Sequence, residues 1–227
     1  MITETPNIND IETWIFDLDN TLYHVSINLF EQIDRRMCNY VAEYLNISRS
    51  EAYKIQKGLF RKHGTTLRGM MEHHNMDPEP YLNYVHEIDF SCLKHDKILA
   101  EALNLLPGRK YVFTNATKTY AKKVLIRLGI EGLMEDIFDI IDSDFVPKPE
   151  IEPYKKIVEK HKIDPNLCVF VEDIARNLRP AYEMGMTTVW IENDEPWAKK
   201  FSDSEFVNYK TNNLSEFLKK VNLEKAA

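Results

Sequence analysis

The chain has 227 residues, 44% of them hydrophobic, and its 29 Lys and Arg against 36 Asp and Glu give a net charge of −7. That length supports one sizeable core and a smaller second one, and the acidic balance argues against gripping a nucleic acid polymer, which takes a basic face. Cys38, Cys92 and Cys168 stand far apart with no paired spacing, which points to a reducing compartment such as the cytoplasm; the polar start MITETPNIND lacks a signal-peptide pattern, and no run is long and apolar enough to span a membrane.

In chain order, residues 13 to 18 are continuous, apolar and rich in aromatic and branched side chains, which predicts a buried strand. From 25 to 46 the pattern changes. Leu29, Ile33, Met37, Val41 and Leu45 recur every four residues with charged neighbours, a helical stripe. A second helix is expected from Ser48, with Ser50 and Glu51 at its start, to Arg61, closed by Gly64. Further helical pieces cover 66 to 74 and 78 to 87, so 24 to 93 reads as a helical insert. Beyond it, helices at 96 to 105, 117 to 128, 151 to 161 and 175 to 184 alternate with strands at 109 to 114, 137 to 142, 168 to 172 and 187 to 191. Such alternation predicts an α/β fold with a doubly wound parallel sheet and right-handed crossovers, where ligands sit beyond the carboxyl ends of the strands.

Those strand ends carry polar groups. The first delivers Asp17 and Asp19, the second Thr114 and Asn115, the loop after the third Lys148 before Pro149, and the fourth Glu172 and Asp173. Two acids as close as Asp17 and Asp19 repel when both are ionised, so a cation or a shared proton is expected with them. Carboxylates with few imidazoles or thiols nearby suit magnesium, a hard ion that prefers oxygen ligands and also contacts phosphate. Phosphoryl transfer needs charge neutralisation, a nucleophile and a proton donor for the leaving oxygen, and an aspartate can itself attack phosphorus.

DLDNTLY, the Thr114-Asn115 pair after a strand, Lys148-Pro149 and VEDIARNLRPA resemble the four ordered motifs of the haloacid dehalogenase superfamily of phosphohydrolases. The likeness covers nearly the whole Rossmann-like core, 1 to 23 and 94 to 227, and the insert at 24 to 93 resembles that superfamily's helical cap. The Leu-Tyr ending of the first motif, Gly64-Thr65-Thr66-Leu67-Arg68-Gly69 and the IARNLRPA tail resemble the pyrimidine 5'-nucleotidases within it. The resemblance implies Asp17 as nucleophile and Asp19 as general acid and then base. It implies Mg2+ bound by the Asp17 carboxylate, the Asp19 carbonyl and Asp173, with Glu172 directly or through water. Thr114, the amide after it and Asn115 would hold phosphoryl oxygens, and Lys148 would neutralise phosphate and Asp17. Asn177 departs from the pattern, standing where many members have a further acid, which leaves the division between Glu172 and Asp173 open.

The expected substrate is a small phosphate monoester, a pyrimidine nucleoside 5'-monophosphate first, with another nucleotide or a sugar phosphate as alternative, and the protein a monomer or homodimer. A 2-haloacid dehalogenase would not need Asp19, and a non-catalytic metal-binding module would not need an acid beside a leaving group. Tyr23, Thr65, Thr66 and Arg68 are candidates for substrate selection. The competing reading has Thr65 capping a helix and Arg68 pairing with Glu72 at i,i+4. Lys110, Lys118 and Lys122 compete with Lys148 for its role. His63, His73, His74, His86 and His95 lack the spacing to hold zinc on one helix face, although His86 could line the substrate crevice.

Overall fold

The computed structural model describes residues 10–225, with side chains through 222; the polar amino-terminal segment read above falls, up to residue 9, outside them. Strands β1 (Thr13–Phe16), β2 (Arg109–Phe113), β3 (Asp136–Phe138), β4 (Cys168–Glu172), β5 (Thr187–Ile191) and β6 (Tyr209–Thr211) form one sheet in the order β3-β2-β1-β4-β5-β6, and every neighbouring pair is parallel. The chain runs outward from β1 through β2 to β3 and then returns to β4 on the other side of β1, the arrangement of a Rossmann-like doubly wound fold.

The two-residue period of the strands sorts their side chains into two apolar layers. Trp14, Phe16, Val112, Val169, Val171 and Val189 face one layer, while Ile15, Tyr111, Phe113, Phe170 and Trp190 face the other. Both layers are buried, which is why the strands read as unbroken apolar runs rather than alternating ones.

Helices α1 (Leu29–Leu45), α2 (Arg49–His63), α3 (Thr66–His74) and α4 (Pro78–Val85) follow β1 and pack on one another. At α2 the residues predicted to start and close the helix do so. Ser48 and Glu51 form a reciprocal capping box at α2, and Gly64 at φ +82° closes it. The apolar stripe of α1 buries Leu29, Ile33, Cys38 and Val41 in the same cluster as Trp14 and Phe16, so the helices share a core with one face of the sheet. The remaining helices are α5 (Lys97–Leu105), α6 (Lys118–Leu128), α7 (Ile151–His161), α8 (Leu178–Glu183) and α9 (Leu214–Lys225).

Several boundaries differ from the sequence expectation; the helix read from 25 opens as a 3-10 turn over Val25–Ile27 and becomes α-helical only at Leu29. The strand read over 137 to 142 stops at Phe138, because the Asp139 carboxylate accepts from the amides of Ile141, Asp142 and Lys118 and folds the chain into a turn. The helix read from 175 starts as a 3-10 turn over Ala175–Asn177 and becomes α-helical at Leu178. Strand β6 and helix α9 lie beyond the last predicted element.

Candidate active site

The point where the sheet reverses its winding lies between β1 and β4, and both strands end there in acids. The Asp17 amide donates to the Val171 carbonyl at 2.9 Å, which continues the β1–β4 ladder by one residue and sets Asp17 beside Glu172. Asp17, Glu172 and Asp173 are buried, and each offers an oxygen within 4.8 Å of the others.

Lys148 stands among them, only 2% exposed. Its ammonium donates to Asp17 Oδ1 at 2.7 Å, to Glu172 Oε2 at 2.7 Å and to the Phe113 carbonyl at 2.9 Å. All three of its protons are thereby used. The competing lysines are occupied elsewhere: Lys110 donates to the carbonyls of Leu106 and Gly108, Lys118 pairs with Asp136, and Lys122 pairs with Glu131.

Burial pushes the Asp17 carboxyl up to about 7, with the Glu172 charge adding to the rise and Lys148 opposing it. Asp173 is also raised well above the carboxylate range, by burial first and by the charges of Glu172 and Asp17 after it. For Lys148, burial acts downward but is outweighed by its two carboxylate partners, which hold the ammonium above its ordinary value. One buried cation thus serves three buried acids, a deficit of positive charge that a divalent cation bound by oxygen ligands would fill. The donor set fits magnesium in this respect.

Asp19 is raised by burial and held back by two phenols that donate to the same oxygen, Tyr120 at 2.6 Å and Tyr23 at 2.5 Å. Its carboxylate does not join the acid cluster. Thr114, buried at the end of β2, accepts from the Ala116 amide at 3.0 Å, and Asn115 Oδ1 accepts from the Lys148 amide at 2.9 Å, which ties the β2 loop to the loop carrying the lysine. Glu172 Oε1 accepts from the Ile174 amide at 3.1 Å, so this acid also steadies the turn after β4.

A cavity of about 670 Å³ opens over these groups, between the strand ends and helices α1 to α4. Asp17, Asp19, Thr114, Asn115, Lys148, Glu172 and Asp173 line it, and from the helical insert so do Thr65, Thr66 and His86. Thr65 caps α3 by accepting from the Arg68 amide at 3.1 Å, and the Thr66 hydroxyl is directed at the Gln56 carbonyl, 3.5 Å away. Tyr23 and Arg68 are not in the lining. Tyr23 is spent on Asp19, and Arg68 pairs with Glu72 at 2.5 Å on the outer face of α3, as the competing i,i+4 reading had it.

Four neighbours went unread in the sequence. Thr21 donates to Asp17 Oδ2 at 2.9 Å from one helical turn along, a spacing visible in DLDNT. Asn193 donates to Asp173 Oδ2 at 2.9 Å from just past β5, and extending the strand-end test to the fifth strand would have found it. Tyr120 and Gln56 sit on helices among other polar residues, where nothing in the spacing marks them.

Fold and cluster together describe an α/β protein with buried carboxylates gathered at the switch point of its sheet. The chain belongs to the haloacid dehalogenase-like hydrolases, whose family model matches residues 11–185. It is 28% identical over 197 residues to phosphate metabolism protein 8 of Saccharomyces cerevisiae, a match covering 77% of this chain but 60% of the yeast protein, so less than two thirds of that relative's length is represented. Its fold is similar to that of a HAD phosphatase from Thermococcus onnurineus, with a TM-score of 0.62 at 17% identity over 93% of this chain and 98% of the other. It is also similar to the HAD-hydrolase YfnB of Bacillus subtilis, solved bound to magnesium, with a TM-score of 0.56 at 16% identity over 93% of this chain and 99% of the other.

Proposed function

We propose that the protein is a magnesium-dependent phosphatase that hydrolyses a small phosphate monoester through an aspartyl-phosphate on Asp17, a pyrimidine nucleoside 5'-monophosphate being the preferred substrate. The observation that carries the reading is the buried group of Asp17, Glu172 and Asp173 around Lys148, at the mouth of a cavity large enough for such a molecule. The yeast relative, named for phosphate metabolism, points the same way.

In the first half-reaction an Asp17 oxygen attacks phosphorus while the bond to the leaving oxygen breaks, and Asp19 gives that oxygen a proton. In the second, Asp19 takes a proton from water, whose oxygen attacks the same phosphorus, releasing orthophosphate and restoring the Asp17 carboxylate. The Thr114 hydroxyl and the Asn115 amide donate to the phosphoryl oxygens, while the Lys148 charge, with its protons on Asp17, Glu172 and the Phe113 carbonyl, offsets that of the phosphoryl group and Asp17. Asp17, Asp173 and the Asp19 carbonyl would hold magnesium, with Glu172 directly or through water; the ion supplies neutralisation of the charge that builds on the phosphoryl group. Residues 24 to 93 act as the cap that closes over the substrate, and the free, widely spaced thiols suit work in the cytoplasm.

Support for a base-bearing leaving group comes from the insert's side of the cavity lining. Gln56 Oε1 is buried and has no partner, and the Tyr81 hydroxyl, beside Thr66, makes no well-formed hydrogen bond. A buried polar atom left unpaired costs about 1–3 kcal/mol, so an acceptor and a hydroxyl in this state suit a ligand edge that donates and accepts.

A panel of phosphate monoesters, with and without a chelator, tests the reading. Pyrimidine monophosphates should be turned over fastest, the chelator should stop turnover, and Asp17→Asn should abolish it with an unchanged circular dichroism spectrum. Faster hydrolysis of purine or sugar phosphates would remove the nucleotide assignment alone; full activity of Asp17→Asn, or chloride release from a 2-haloacid, would remove the mechanism.

A further inference from the structure

The sequence places His63, Glu72 and His73 ten residues apart at most, on no common helix face. The fold brings them together across the α2–α3 corner. His63, at the end of α2, has a side chain only 11% exposed, and its Nδ1 lies 2.9 Å from Glu72 Oε2 on α3. Its other nitrogen, Nε2, lies 2.8 Å from His73 Nε2. Arg68 occupies the remaining Glu72 oxygen, Oε1, at 2.5 Å. The three residues each present a ligand atom within 4.8 Å of the others.

An ionised carboxylate only accepts, so the proton of a neutral His63 sits on Nδ1 and its lone pair on Nε2 points at His73. With no ion bound, that lone pair accepts the Nε2 proton of His73; a carboxylate fixing the tautomer of a histidine whose far nitrogen is a lone-pair donor is also the arrangement that orients imidazole ligands on a metal. We infer that His63 Nε2 and His73 Nε2 form a binding site for a divalent transition metal of the zinc class, with Glu72 orienting His63 and water completing the coordination.

An entering ion replaces the proton shared by the two Nε2 atoms, His73 then holding its one proton on Nδ1. Two nitrogens at about 2.0–2.1 Å from one tetrahedral ion stand about 3.3 Å apart, so the imidazoles must part by roughly half an ångström. Imidazole donors favour zinc, copper or nickel over magnesium, which separates this site chemically from the oxygen-rich cluster at the strand ends. The site also has a structural lever. His63 is followed by Gly64, and a Cβ on Gly64 would lie 3.0 Å from the Lys148 carbonyl, so an ion that pins α2 to α3 also braces the corner resting on the lysine loop.

The test titrates the 227-residue protein with Zn2+ against a chromophoric zinc indicator, in excess magnesium so that the acid cluster is filled. The expected result is one equivalent bound, a higher thermal midpoint, and loss of both in His73→Ala. Glu72→Gln, which keeps both imidazoles, should weaken binding about 10–100-fold. Asp173→Asn should leave the zinc equivalent in place. No zinc uptake by the wild type, equal uptake by His73→Ala, or loss in Asp173→Asn instead would overturn the inference, whatever the phosphatase assay gives.

Discussion

Two groups that line the cavity titrate in opposite senses. His86, half-buried at the end of α4 and stacked on Tyr120 with ring centroids 4.6 Å apart, is pushed by burial down to about 4 from its ordinary 6.5. Between those values the unfolded chain binds the extra proton, so the stability that His86 contributes is complete above pH 6.5 and drains away as the pH falls toward 4. Asp17, raised from 3.8 to about 7, does the reverse: its contribution is complete below 3.8 and is lost as the pH rises through 7. Denaturant midpoints of the metal-free protein from pH 4 to 7 should therefore show a shallower acid-side loss in His86→Phe and a steeper one in Asp17→Asn. Parallel curves for wild type and both variants would contradict this account.

At the scale of the element, α3 approaches α2 closely enough at Gly69 to leave no room for a side chain. A Cβ on Gly69 would lie 2.7 Å from Leu59 Cβ, on the side chain's base rather than its flexible end. Gly69→Ala should therefore cost about 1–3 kcal/mol in urea unfolding in spite of the better helix propensity of alanine. What the sequence made legible follows the same physics. Periodicity and caps marked α1 to α4, because the Ser48–Glu51 box and the glycine at 64 act over a few residues. The end of β3 was not legible, since IFDIID has strand composition and only the Asp139 side chain, bonding back to its own loop, turns the chain. Helix α9 carries a helical spacing in Leu214, Phe217, Leu218 and Val221, all buried, but it follows a stretch from 192 to 208 with no regular strand-and-helix rhythm.

For the whole molecule, the strand ends of a doubly wound sheet converge by topology, so the acids and Lys148 could be grouped from sequence order alone. The insert offered no such rule. Which face of α2 or α3 meets the cavity depends on how the helices pack, and that sends Arg68 outward and Gln56 inward. Gln56 Nε2 donates to Asp34 Oδ1 at 2.8 Å, which also pairs with Lys57 at 2.6 Å, so its carbonyl oxygen is held in place without a partner of its own. Gln56→Leu should raise KM for a pyrimidine nucleotide about 5–10-fold, the loss of one hydrogen bond, while leaving hydrolysis of a small aryl phosphate unchanged. Steady-state kinetics on the two substrates side by side would measure it.

Asp173 is anchored by chain that comes late. The Trp190 indole donates to its carbonyl at 2.7 Å and Asn193 to its carboxylate at 2.9 Å, both downstream of the segment, 11–185, shared most clearly with the family. A shortened version ending there would still spell out every motif acid and the lysine, yet it would strip β4 of one of its two neighbours and remove both hydrogen bonds that hold Asp173 from downstream. The smallest working unit is therefore longer than the stretch by which its kinship is recognised.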